Sequence, residues 1–156
     1  KPLVAGVDGL AVGVGVTMLL HCDLVVASTR SRFRTPFTRL GLVPEAGSSL
    51  LMPALMGHQR AMEWLLLGDF MDAEAARAAG LLNRLVAPEE VTATALGLAA
   101  KLAESPLVAL IESKRLVRAA TRTALREVMA KEGAKFTERL TAPETIAAFM
   151  AFGAKK

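Results

Sequence analysis

Short valine-rich apolar runs, each cut off by glycine or a polar turn, fill the first part of this chain and restrict it to a fold built on short buried strands. Residues 3–7 (Leu3-Val4-Ala5-Gly6-Val7) lie between Pro2 and the turn pair Asp8-Gly9. A short apolar run bounded in that way reads as a buried strand. Residues 14–20 begin just after Gly13 and have the length of a short buried helix. Residues 23–27 read as a second strand, ended by Ser28. Arg30, Arg32 and Arg34 then read as a solvated loop or edge, and Thr35-Pro36-Phe37 and Val43-Pro44 are further breaks.

From Ser48 the pattern turns helical. Residues 61–67 end at Gly68, a C-cap signal. Asp72 is placed to N-cap a helix over 73–79, which Gly80 closes. Residues 81–86 suit a short strand, and Pro88 opens a helix over about 89–103. Ser105-Pro106 has the form of a cap followed by a first-turn proline. Residues 122–140 predict a long amphipathic helix, and Thr141-Ala142-Pro143-Glu144 has capping-box spacing before a last helix over 145–152. Strand alternates with helix first, and helices alone follow. The expected class is α/β, with a core over 1–86 and a helical region over 87–156. Such helices need a surface to pack on, so a homo-oligomer is expected.

Composition narrows the partners. At 156 residues the chain fits one domain, and at 53% hydrophobic it is too apolar for a disordered segment. With 4% aromatics and no Tyr, the core is expected to be Ala, Leu, Val and Met. The net charge of +4 is spread along the chain without interleaved aromatics. That argues against nucleic acid and suits a phosphate-bearing small molecule. Cys22 is the single cysteine, so no internal disulfide forms; it reads as a small core residue in a reducing compartment. Residues 3–20 are the one candidate for a membrane or signal segment, but Asp8 and four glycines interrupt them, so no membrane span is expected. His21 and His58 lack metal-ligand spacing, and no metal is expected. Asp23, beside His21, reads as a structural hydrogen-bonding group. Lys114, Arg115 and Arg118 share a helical face, which reads first as solvated and second as a contact for phosphates. The chain opens on Lys1-Pro2 inside its first strand, which suggests the C-terminal part of a longer polypeptide.

Two segments carry candidate chemistry. The first is Asp8-Gly9-Leu10-Ala11-Val12-Gly13-Val14-Gly15-Val16-Thr17. As a dinucleotide fingerprint it fails, because Gly13-Val14-Gly15-Val16-Thr17-Met18 ends in Met and Arg32 and Arg34 stand where the acidic residue belongs. It also lacks the Lys-Ser/Thr of a P-loop. What remains is a strand–turn–helix junction, either pure packing or a place where backbone amides meet a ligand. The first amides of a helix have no internal acceptor, so they can hold an anion or the charge developing on a carbonyl oxygen. The second segment is Gly41-Leu42-Val43-Pro44-Glu45-Ala46-Gly47-Ser48-Ser49. Glu45 there is either a first-turn acid of the helix near Ser48 or a catalytic group.

Several pieces of this sequence, in order and at ordinary spacing, resemble the crotonase superfamily, also called the enoyl-CoA hydratase/isomerase family. They are residues 1–13, His21-Cys22-Asp23-Leu24-Val25-Val26-Ala27, Phe33, residues 41–47, the Ala61-Met62-Glu63 to Gly68 helix, and residues 73–82. The resemblance implies the C-terminal portion of a crotonase-like ββα spiral core, followed by helices that assemble a trimer or a dimer of trimers. It also implies that a preceding half supplies the first oxyanion-hole N–H and much of the CoA-binding loop. The implied partner is an acyl-CoA thioester, with no cofactor beyond the coenzyme A of the substrate.

Two glutamates mark the family's hydratases. Their positions here are Thr17 and Phe37, the latter after Pro36, so the chain departs from that pattern twice. It looks most like the peroxisomal-type Δ3,Δ2-enoyl-CoA isomerase branch. Carried over on that likeness, Glu45 is the acid/base and Val14 offers a backbone N–H to the oxyanion hole. Gly13, Gly15, Thr17, Phe37 and Leu42 then belong to the substrate-binding site. The implied reaction shifts the double bond of 3-enoyl-CoA to 2-enoyl-CoA in fatty-acid β-oxidation. A hydratase, another CoA-thioester enzyme and an idle crotonase-fold scaffold subunit are the alternatives. The compartment implied is the cytoplasm in a bacterium, or the peroxisome or mitochondrion in a eukaryote.

Overall fold

In a computed structural model, which describes residues 1–153, the apolar runs build two small sheets. β1 (Val4–Val7) is followed by the Asp8-Gly9 turn and by β2 (Leu10–Val12). Gly13 ends β2 and starts α1 (Val14–Thr17), which runs on as a 3₁₀ turn over Met18–His21. The segment 3–20 is thus strand, turn, strand and helix, and no single helix of the described residues is long and apolar enough to cross a membrane.

β3 (Leu24–Ser28) pairs in parallel with β1, Val4 opposite Leu24 and Val7 opposite Ala27. On its other side it pairs in parallel with β6 (Arg84–Val86). Val25, Val26 and Ala27 are buried, as a parallel strand covered on both faces requires.

The second sheet corrects one expectation. Arg32 and Arg34 lie not in a loop but in β4 (Arg32–Arg34), its central strand. β4 runs parallel to β2 and antiparallel to β5 (Met71–Asp72). Its Arg-Phe-Arg alternation puts Phe33 in the core and the two guanidinium groups outside. Arg32 and Arg34 stack on the Phe70 ring, 4.3 and 5.0 Å from its centroid. Among the described residues β1 and β2 are end strands, each paired on one side only, with Leu3 and Leu10 exposed beside them.

α2 (Ser48–Met56), α3 (His58–Leu67) and α4 (Ala73–Ala78) follow as the helical pattern predicts. Gly68 adopts the left-handed conformation after α3, and the Asp72 carboxylate accepts the Ala75 N–H at 2.7 Å. A 3₁₀ turn over Pro88–Glu90 leads into α5 (Val91–Ala103). This first helix of the 87–156 region lies on β1 and β3 and forms a layer of the core. Gly6 allows that approach, since a Cβ there would stand 3.2 Å from Val91 Cγ1.

Two predicted caps are not formed. α6 (Leu107–Ala119) begins at Pro106 with no side-chain cap, so Ser105 plays no such part. Between α7 (Arg122–Leu140) and α8 (Pro143–Gly153), the Thr141 hydroxyl donates to the Glu138 carbonyl and Glu144 accepts from Arg139. The box's two side chains are thus engaged elsewhere. The core is the expected Ala, Leu, Val and Met, joined by Phe33, Phe37 and Trp64.

Candidate active site

Gly13 makes the turn that aims the first amides of α1. Its φ of +57° and ψ of −119° lie where a side chain is strained. Its N–H donates to the Arg34 carbonyl at 2.8 Å, and its own carbonyl accepts the N–H groups of Val16 and Thr17. The amides of Val14 and Gly15, at the helix start, find no acceptor among the described residues.

Glu45 sits on a constrained turn. Ala46 has φ +56°, the single non-glycine residue with positive φ among those described, and Gly47 follows at +74°. Gly47 takes that conformation freely, but an alanine in it is costly and persists only when neighbours hold it. Three anchors do so. The Thr17 hydroxyl donates a short hydrogen bond to Glu45 Oε1. His21 Nε2 donates to the Ala46 carbonyl at 2.7 Å. Glu132 of α7, buried, accepts the N–H groups of Gly47 and Ser49 at 2.6 and 2.9 Å.

Glu45 itself is half-buried at the edge of a cavity of about 630 Å³. Gly13, Val14, Phe37 and Leu42 line that cavity with it. Met129 and Phe136 of α7, with Phe149 of α8, line it as well. Five of the seven candidate residues are thereby brought together. The other two lie elsewhere: Gly15 faces Ala11 of β2, and Thr17 is fully buried behind Glu45. Thr17 therefore supports the acid and does not meet the cavity, a correction to its expected place in the substrate site. Sequence reasoning missed Glu132, one of several acids on a helix, because its partners lie far back in the chain.

Lys114 and Arg118 also correct an expectation. They do not form a solvated face but converge on Asp23. Lys114 donates to Asp23 Oδ2 at 2.5 Å, and Arg118 lies 3.2 Å from Oδ1. Arg115 remains exposed, paired with Glu112. Burial works to raise the Asp23 carboxyl, but the Lys114 hydrogen bond, the Leu3 N–H and the two positive charges outweigh it and hold it below the usual value. A carboxyl lowered by folding contributes stability above its unfolded value, near 3.8, and loses it as the pH falls through the folded value. Asp23→Asn is expected to cost about 1–3 kcal/mol at pH 7. In urea denaturation the gap to the unmodified protein should narrow at pH 3; a gap of constant size would refute the assignment. Beside it, burial pushes the Cys22 thiol up, which makes it a poor nucleophile. Among the described residues no group of three His, Cys, Asp or Glu side chains is arranged to hold a metal ion.

An acid on a held turn, next to free helix-start amides and an apolar cavity, is laid out for proton transfer beside a polarised carbonyl. The architecture around it is shared with crotonase-fold proteins. An enoyl-CoA hydratase/isomerase from Pseudoalteromonas atlantica superposes with a TM-score of 0.94 and 41% identity, over 100% of this chain and 63% of its own. Residues 1–154 match the Enoyl-CoA hydratase/isomerase family, and the chain belongs to it. Enoyl-CoA delta isomerase 2 of Rattus norvegicus is 40% identical over 157 residues, 100% of this chain and 40% of the relative. The 2,3-dehydroadipyl-CoA hydratase of Escherichia coli is 35% identical over 137 residues, 88% and 54% respectively. The chain thus spans about half the length of the curated relatives it matches.

Proposed function

We propose that the full-length protein shifts the double bond of a 3-enoyl-CoA thioester to position 2, with Glu45 as the single acid/base. The observation that carries this reading is that Glu45 is the one carboxylate lining the cavity among the described residues, while Thr17 and Phe37 are not acids. Adding water requires a positioned water and groups to move its protons. Moving a double bond requires one base that takes a proton from one carbon and returns it to another.

In that reaction Glu45 removes a proton from C2. The C–H electron pair enters conjugation with the C3–C4 double bond and the thioester, whose oxygen gains negative charge. The Val14 N–H, with a donor from the preceding half, stabilises that oxygen. Glu45 then returns the proton to C4, the double bond settles between C2 and C3, and the carboxylate is regenerated. The apolar wall of Met129, Phe136 and Phe149 suits an acyl chain. The exposed apolar side chains Val108, Leu116 and Val117 of α6 suit packing between copies of the chain, in line with the trimeric assembly that the resemblance implies.

The test is to offer the full-length protein 3-enoyl-CoA and 2-enoyl-CoA separately. Migration without a water adduct supports the reading. Hydration of 2-enoyl-CoA without migration would move the chain to the hydratases, and turnover of neither would favour another thioester or a scaffold.

A further inference from the structure

Glu132 is a buried carboxylate that the chemistry above does not use; its residue is 8% exposed. Its Oε2 accepts the Gly47 N–H at 2.6 Å. Its Oε1 accepts both the N–H and the hydroxyl of Ser49, at 2.9 and 2.5 Å. These groups belong to the residues that directly follow Glu45-Ala46, where the backbone holds two left-handed conformations in succession. Leu125, two turns earlier on α7, packs over Gly47 so closely that a Cβ there would collide with it. Met129, Gly133 and Phe136 flank Glu132 on the same helix and line the cavity. One helix therefore both walls the cavity and grips the turn that carries the acid.

We infer that Glu132 is a positioning residue. Through Gly47 and Ser49 it fixes where the Glu45 carboxylate stands over the cavity, and it makes the acid/base step depend on the seating of α7. This rests on the role proposed for Glu45. The demand on position is severe, since a misplacement of about 1 Å can cost about 10²-fold in rate. Thr17 and His21 hold the turn from α1 and the 3₁₀ turn after it; Glu132 holds it from the helical region.

The test uses the full-length protein. Glu132→Gln keeps the size but sets an amide NH₂ among three donors, and Glu132→Asp keeps the charge but withdraws it. Each is expected to lower kcat by about 10- to 100-fold with KM changed far less. Added to Glu45→Gln, Glu132→Gln should cause no further loss, because a residue acting only through Glu45 has nothing left to position. An unchanged kcat overturns the inference, and so does a double variant whose loss is the product of the two single losses. Should Glu132→Gln fail to fold, the kcat and KM of Glu132→Asp decide in the same sense. Should the unmodified protein move no double bond, the proposed function has failed and amide hydrogen exchange judges Glu132 separately. Faster exchange confined to residues 45–49 in Glu132→Gln then sustains the anchor, and unchanged exchange overturns it.

Discussion

Replacing Glu45 by glutamine in the full-length protein is expected to lower its turnover of 3-enoyl-CoA by about 10²–10⁴-fold, the usual contribution of a positioned acid/base. Glutamine has nearly the same volume, and its amide oxygen can still accept the Thr17 hydroxyl that Glu45 accepts. The turn over residues 45–47 keeps its other anchors at His21 and Glu132. The loss should therefore appear in kcat, with KM and the melting temperature close to their original values. A step that needs one proton carrier leaves no second acid on the described cavity wall to take over. Migration that persists in Glu45→Gln would remove the base from the mechanism. A protein that loses its melting transition as well would show a structural role instead.

The second large effect belongs to a backbone atom. The Val14 side chain is 62% exposed and contributes little to the core, so Val14→Ala should change turnover only slightly. Val14→Pro should lower it by about 10²–10³-fold, the cost typical of losing one oxyanion-hole donor. Proline suits this position because Val14 is the first residue of α1, where the N–H has no internal acceptor and φ is already helical. Gly13 before it carries no Cβ to meet the proline ring. Comparing the two variants separates the amide from the side chain. Equal activity in both would show that no negative charge develops against that N–H, and the oxyanion hole would have to be sought elsewhere.

The parts of the site legible in the sequence are those set by neighbours along the chain. Gly13 before Val14 announces a turn into a helix, and Pro44-Glu45-Ala46-Gly47 announces an acid on a turn. What escaped depends on distance in sequence. β4 has three residues, too few for its Arg-Phe-Arg alternation to outweigh three arginines read as solvated. The capping box at Thr141 fails because Arg139 competes for Glu144, a partner the spacing rule ignores. The convergence of Lys114 and Arg118 on Asp23, and of Glu132 on Gly47, joins residues that no local pattern connects. For the fold, the alternation of strand and helix was readable, but the division into two sheets was not. Strands of three residues or fewer carry too little periodicity to reveal their partners.

β1 and β2, the end strands of their sheets, have a practical consequence for anyone preparing the 156-residue chain alone. Each presents a row of backbone donors and acceptors with no partner among the described residues, beside an exposed leucine. Such edges are templates for strand addition, and natural proteins cover them or guard them with charge. Among the described residues neither edge is paired with a strand; β1 and β2 are hydrogen-bonded on their other sides only, in parallel to β3 and β4. At the concentrations used for crystallisation or spectroscopy, the isolated chain will tend to recruit extended segments of its own copies and grow into aggregates.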